Sequence, residues 1–347
     1  PVILGKERYE RFYGFISRTI FKLFGDHRYI SNTGLTNSVN YMLNWLPDRV
    51  KDLFSRATSE GRLIIISPYG FLHDIPWEFF DPDGKGSIGL RTPIIRVHGL
   101  HSLVLAHRRF ERLSGMRVSE CLIVGVEDPN DPKLRLPGII DECELVYKSL
   151  RSAKFFPIIG KDTVSKIDEY YQEIREIMRS SPIFYFSGHG IFIAKYDEEK
   201  KEYLIPPEQS FLLLFIKKEG EEEKRYRITA SELPAIRPSV PGLFAFLNAC
   251  QTAKTSSITP LGSPVDSRAG FIHSLFVSGF CSVIAALWSV SNAVAKVFAE
   301  EFFSRLSKRL SWEDALLGAR KSTFERHSDS VDWSAFIVYG YPNALTL

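Results

Sequence analysis

The chain runs to 347 residues, 44% of them hydrophobic and 13% aromatic, which is too long for one minimal core and too apolar for an unstructured polymer; one large or two fused α/β units are expected. Forty-four Lys and Arg against forty-one Asp and Glu leave a formal net charge of +3, too small to make nucleic acid or an acidic membrane the default partner.

Two helical patterns open the chain. Tyr9, Phe12, Tyr13, Ile16, Ile20, Leu23 and Phe24 form the first, and Val39, Met42, Leu43, Leu46, Val50, Leu53 and Phe54 the second; both keep the i, i+3, i+4, i+7 spacing of a helix with one apolar face. Leu63 to Ser67 reads as a short buried strand, Pro68 to Gly70 as a turn, and Ile94 to Val97 as a segment pairing nearby. From Cys121 strands and helices alternate: strand CLIVGV, a helix over Asp141 to Leu150, strand FFPII, a helix over Val164 to Met178, and strand IFYF. That order predicts a parallel sheet with helices on both faces. Phe211 to Ile216 and Tyr226 to Thr229 flank the charged run KKEGEEEKR and read as a solvent-exposed hairpin inserted between core strands. LFAFLN from Leu243, CSVIAALW from Cys281 and FIVYG from Phe336 complete six core strands. Helical segments Ala293 to Leu306 and Asp314 to Phe324 lie between the last two, the second with Ser311 as its N-cap.

In open parallel sheets ligands sit at the carboxyl ends of the strands, where the chain leaves into loops that splay apart. Strand IFYF ends in Ser187-Gly188-His189-Gly190, and strand LFAFLN in Asn248-Ala249-Cys250-Gln251-Thr252. Glycines on both sides of His189 remove Cβ crowding, so the backbone can bend sharply and present the imidazole. A thiol is a good nucleophile as thiolate, and an imidazole within reach moves its proton, so the two strand ends together suit acyl transfer. The backbone N–H groups of Gly190 and Cys250 are candidate donors to an oxyanion. Taken singly, the cysteine reads as a small core residue and the histidine as a turn residue; their shared position on one sheet is what favours a Cys/His hydrolase. Cys121, Cys143 and Cys281 lie in or beside apolar positions without CxxC or Cys/His ligand spacing, so neither a disulfide framework nor zinc is indicated. A reducing, cytoplasmic compartment fits. No signal peptide opens the chain and no apolar run approaches the twenty or so residues that span a bilayer, so a soluble protein is expected. His73-Asp74 and His98/His101 lack converging ligand spacing, and no phosphate loop, GxSxG elbow or HExxH motif is present. No metal or other cofactor is expected.

Six segments in order carry a family likeness: ISPYGFLHDIPWEFF (Ile66 to Phe80), LPGIIDECELV (Leu136 to Val146, with Glu144 as the downstream acid), FSGHG, FLNACQTA, ALWSVSNAVAKVFAEEFF and WSAFIVYG. Together they resemble the CHAT domains, relatives of caspases and separase among the caspase-like cysteine peptidases. The resemblance implies a caspase-like three-layer α/β/α sandwich around the mostly parallel six-stranded sheet. It divides the chain into an N-terminal helical and pseudo-caspase half, residues 1–115, and an active half, residues 116–347. It also implies a dyad of His189 and Cys250, with Gly190 at the oxyanion site. In similar folds the residue two before the nucleophile lines the S1 pocket; here that is Asn248, a neutral group. A strictly basic preference would need a carboxylate, for which Glu127 and Asp128 are candidates, the alternative being a solvated turn before Pro129. Trp288 is either a wall of the adjoining subsite or a core Trp. An uncharged or undemanding P1 residue is the expectation. Ser289 and Asn292 replace the family's usual Pro and Asp, and Gln251 stands where Glu is common; these leave the dyad intact and change the pocket's shape and charge. The implied function is an endopeptidase cutting a specific protein, controlled by a regulatory protein or attached sensor. The polar loop AKTSSITPLGSPVDSR after Cys250 then serves as an order–disorder switch or as a plain surface connection. The alternative is a noncatalytic caspase-like interaction module.

Overall fold

A computed structural model describes residues 31–44, 46–68, 70–113, 120–150, 152–193, 195–197, 202–205, 209–219, 222–237, 241–250, 252 and 270–347. The first helical pattern and the loop after Cys250 lie outside these residues.

The second helical pattern is two helices, α1 (Asn32–Leu43) and α2 (Asp48–Ser59). Pro47 separates them, because proline lacks the N–H that a helix interior needs and pushes the preceding residue out of helical geometry. Ser31 caps α1, its hydroxyl accepting from the Gly34 N–H at 3.1 Å. Val39, Met42 and Leu43 are buried, whereas Leu53 on α2 is exposed. Strands β1 (Ile64–Ile66) and β2 (Ile94–Arg96) pair in parallel. Ile65 is 45% exposed, because β1 is the sheet's outer strand; the expected buried strand is an edge that buries Ile64 and Ile66.

After α3 (Leu100–Leu113) come β3 (Cys121–Asp128), α4 (Ile139–Ser149), β4 (Ala153–Ile159), α5 (Ile167–Met178) and β5 (Ile183–Gly188). Short strands β6 (Gly190–Ile191), β7 (Lys195–Asp197) and β8 (Glu202–Ile205) precede the hairpin β9 (Phe211–Glu219) and β10 (Glu222–Thr229). The remaining elements are β11 (Gly242–Ala249), α6 (Phe271–Val277), β12 (Phe280–Ala286), α7 (Asn292–Ser307), α8 (Trp312–Arg326) and β13 (Phe336–Gly340). Ser311 caps α8 by accepting the Asp314 N–H at 3.1 Å.

The main sheet has eight strands in the order β1-β2-β13-β12-β11-β5-β3-β4. All six expected core strands are in it, and β1 and β2 extend it through β13, so strands from both sides of residue 115 share one sheet. Neighbouring strands are parallel except at β12/β13. Strand direction therefore reverses once, and β5 and β11 sit side by side within the five-strand block. Side chains alternate between faces along each strand. Phe184, Phe186, Ala245 and Leu247 join the core under α1, α5 and α6; Ile183, Tyr185, Phe244 and Phe246 join the core under α4, α7 and α8. The three layers follow from that alternation.

The β9/β10 hairpin departs from the sequence expectation. Its charged tip and Arg227 are exposed, but Leu212, Leu214, Phe215, Tyr226 and Ile228 pack into the main core, and Phe211, Leu213 and Ile216 pack with Leu134 and Ile191. Alternating apolar residues on β9 serve two contacts, so neither of its faces is left for water. The two parts of the chain are further joined by a buried ion cluster. Glu78 accepts from Arg96 at 2.9 Å and from Arg320 on α8 at 3.2 Å, with all three side chains at most 1% exposed.

Candidate active site

His189 leaves the carboxyl end of β5 and Cys250 that of β11. The ladder between these strands runs Asn248↔Ser187 and Ala249↔Gly188, so each residue lies just past the last paired position. Period-two alternation carries Ser187 and His189, and likewise Asn248 and Cys250, to one face of the sheet. His189 and Cys250 both line a single cleft, with Ser187, Asn248 and Glu142 among its other polar residues. Its apolar wall is made by Leu136, Ile139, Ala286, Val290 and Ala295.

The imidazole is oriented from behind: Nε2 of half-buried His189 lies 2.7 Å from the Leu134 carbonyl. A carbonyl only accepts, so Nε2 carries the proton, and in the neutral ring Nδ1 is left with the lone pair. That tautomer can take a proton from a thiol. The hairpin holds this arrangement in place. Leu213 on β9 donates its N–H to the His189 carbonyl at 3.0 Å. Ile216 donates to the Pro129 carbonyl at 2.8 Å, and the Asn130 side chain donates to the Ile216 carbonyl at 3.0 Å. The loop that supplies Leu134 is thus strapped to β9. Asn130 has φ of 68°, a left-handed conformation that alanine resists. Asn130→Ala is expected to cost about 1–2 kcal/mol in denaturant unfolding, through backbone strain plus one hydrogen bond, and Asn130→Gly less.

Of the four cysteines, Cys250 alone is not buried. Burial pushes the thiols of Cys121 and Cys281 up to about 12 and that of Cys143 well above its ordinary value, so these three remain protonated and inert near neutrality. The turn carrying Cys250 is tied by Thr252, whose hydroxyl donates to the Ala249 carbonyl at 2.9 Å. Gly190 packs against it closely: a Cβ there would lie 2.7 Å from the Cys250 carbonyl oxygen, so only glycine fits. Gly190 pairs with Leu212, and the flanking Leu213-to-His189 bond marks this as the kind of antiparallel pair whose own N–H groups point away from each other. Its N–H is therefore turned from β9.

Asn248 is 8% exposed and donates to Glu142 at 2.8 Å and to the Ser187 hydroxyl at 3.4 Å. Tyr185 also donates to Glu142. Glu142 is the residue that sequence reasoning missed. The downstream acid of the Leu-Pro-Gly segment was placed at Glu144, but Glu144 faces solvent beside Lys148, 3.8 Å away. The signal for Glu142 was helical spacing: Ile139, Glu142, Cys143 and Val146 form the buried face of α4. Burial raises the Glu142 pKa against the lowering effect of its hydrogen bonds from Tyr185, Asn248 and Ser187. Between the ordinary carboxylate range and that raised value, the folded chain holds a proton the unfolded chain has released. Stability from this group is therefore present at low pH and lost as pH rises through the folded value. The melting temperature of Glu142→Gln relative to wild type should accordingly increase with pH, as a thermal-melt series at several pH values would read.

Three other sequence candidates stand elsewhere. Glu127 accepts from the N–H groups of Gly138 at 3.2 Å and Ile140 at 3.4 Å, bracing the start of α4. Asp128 accepts from the Asn130 N–H at 2.7 Å and packs on Gly160. Neither is among the cleft-lining residues; both carboxylates are engaged by local backbone. Trp288 is fully buried and donates its indole N–H to Asp332 at 2.9 Å, so it stands in the core. His73 Nδ1 lies 2.8 Å from the Tyr339 hydroxyl, and His98 stacks on Tyr339. Among the described residues no group of three or more His, Cys, Asp or Glu is placed to hold a metal ion, and no helix is long and apolar enough to cross a membrane.

No curated protein matches the chain in sequence. Among solved structures, gingipain R, an Arg-specific cysteine proteinase, is 11% identical with a TM-score of 0.51, over 99% of this chain and 77% of that one. The complex of RgpB pro- and mature domains from Porphyromonas gingivalis gives 12% and 0.51, over 99% and 78%. Separase in the Saccharomyces cerevisiae separase–securin complex gives 17% and 0.47, over 80% of this chain; the chain spans only 16% of the separase length. The gingipain likeness shows that the two chains share a fold. Residues 42–341 match the CHAT domain, and the chain belongs to the CHAT domain family.

Proposed function

We propose that the chain is a cysteine endopeptidase acting through Cys250 and His189. Nδ1 of His189 takes the thiol proton; the thiolate attacks the scissile carbonyl carbon, and its oxygen becomes an oxyanion received by the N–H groups of Gly190 and Cys250. As the tetrahedral intermediate collapses, the C–N bond breaks and the imidazolium returns its proton to the leaving amine. Water, deprotonated by the same imidazole, then hydrolyses the thioester and restores the thiol. The observation that carries this reading is the single cleft lined by the least buried cysteine and by an imidazole whose Nε2 is already bonded to the Leu134 carbonyl. Asn248 lines the same cleft and takes the role of an S1 residue. With the Glu142 carboxyl engaged by Tyr185 and Asn248 and the wall apolar, an uncharged P1 side chain suits the cleft. Glu127, Asp128 and Trp288 have no part in it. Control by a regulatory protein or attached sensor completes the proposal.

The test is labelling of the full chain with peptide acyloxymethyl ketones that differ only at P1, read by mass spectrometry at Cys250. Selective, His189-dependent modification with neutral P1 residues ahead of Asp or Arg is the expected result. Absence of any His189-dependent labelling would point instead to a noncatalytic interaction module.

A further inference from the structure

We infer that Glu142 is a positioning residue for the Cys250/His189 pair, a single carboxyl that sets the spacing of the two strand ends carrying thiol and imidazole. This rests on the peptidase reading above.

The backbone ladder between β5 and β11 stops at Ala249↔Gly188. Past that point His189 gives its carbonyl to β9, and Cys250 turns under Thr252. No β5–β11 backbone pair therefore spans the last residue on either strand. The ties that remain are side chains, and they converge. Ser187 stands two residues before His189 and Asn248 two before Cys250, opposite each other in the register. Asn248 donates to Glu142 at 2.8 Å and to the Ser187 hydroxyl at 3.4 Å, and Tyr185, one pleat behind Ser187 on β5, also donates to Glu142. One carboxyl thus ties β5 at Tyr185 to β11 at Asn248, and through Asn248 reaches Ser187, one strand period behind His189.

Glu142 also belongs to the segment that orients the ring. Leu134 accepts from His189 Nε2, and the chain runs from there through Gly138, whose N–H is held by Glu127, into α4 and Glu142. A shift of α4 would move the hub and the imidazole's backbone acceptor together. Fold stability alone does not account for an acid here, since apolar residues in place of the whole set, acid and donors together, are usually no worse for stability. Relative placement of two reacting groups does account for it: an error of about 1 Å costs on the order of 100-fold in rate.

The experiment measures the rate of Cys250 alkylation by iodoacetamide on the full chain over a pH series, read by peptide mapping, alongside thermal melts. His189→Ala defines the His189-dependent part of the rate. Glu142→Met keeps the length of the side chain and removes the acceptor; Glu142→Gln keeps an oxygen for Asn248 and Tyr185. The expected result is a loss of about tenfold or more in the His189-dependent rate for Glu142→Met, with a melt showing folded protein, and a rate within about threefold of wild type for Glu142→Gln. An unchanged His189-dependent rate in folded Glu142→Met overturns the inference, as does equal slowing in both variants, which would assign the effect to charge. If Glu142→Met does not fold, Asn248→Leu cuts the same tie from the other strand and must show the same loss. A rate in His189→Ala equal to wild type is a separate signature: it removes the dyad reading itself, and this inference with it.

Discussion

His189→Ala is expected to lower peptide cleavage and Cys250 alkylation near neutral pH by about 10²- to 10⁴-fold, the range for loss of a positioned general base. The folded state should change little, because the ring is only half buried and its one described bond is to the Leu134 carbonyl. Two readouts therefore separate: rate falls steeply and the melting temperature stays near wild type. The residual rate in the variant measures what the oxyanion donors and cleft binding supply alone. Should the variant cleave as wild type does, the imidazole has no part in the chemistry, and the tautomer set by Leu134 is incidental.

The second large effect is on stability. Glu78→Ala is expected to destabilise the protein by about 3–5 kcal/mol, as breaking a buried ion pair does when a charge is left behind. Two guanidinium groups depend on this one carboxylate. Arg96 reaches Oε2 at 2.9 Å and Arg320 reaches Oε1 at 3.2 Å, and both arginines are fully buried. Their other acceptors are backbone carbonyls, Ile75 for Arg96 and Phe336 for Arg320, which share hydrogen bonds and carry no charge. Burial already lowers the Arg320 pKa, so removal of the acid leaves two desolvated cations close together. For a chain of this size the loss corresponds to a fall of roughly 4–7 °C in melting temperature. Arg320→Met leaves Glu78 paired one to one with Arg96 and should cost clearly less. Equal melting temperatures for wild type and Glu78→Ala would show that the cluster does not join the two parts of the chain energetically.

Local pattern carried much of the architecture. Apolar runs such as IFYF and LFAFLN, alternating with helical spacing, imply a parallel sheet between helices, and each of the six runs is a strand of it. Glycines around His189, and the capping Ser311 of α8, were equally legible, since each acts through its immediate neighbours. The misreadings share a cause. Pro47 breaks what spacing alone made one helix, and the hairpin's apolar residues were assigned to solvent because its charged tip dominates the local composition. Glu127 and Asp128 do stand at a strand end, as the sequence implies, with backbone N–H groups engaging both carboxylates.

What the sequence by itself determined was which residues end the strands: secondary structure and face alternation are short-range, so they place His189 after Gly188 and Cys250 after Ala249 without knowledge of the rest. Only the tertiary structure decided what meets them. Leu134 under the imidazole, β9 strapping its loop, and Glu142 joining Tyr185 to Asn248 bring together residues from four separate stretches of chain. Those contacts depend on how α4 and the hairpin dock on the sheet, and docking is set by burial summed over both cores, which no local window contains.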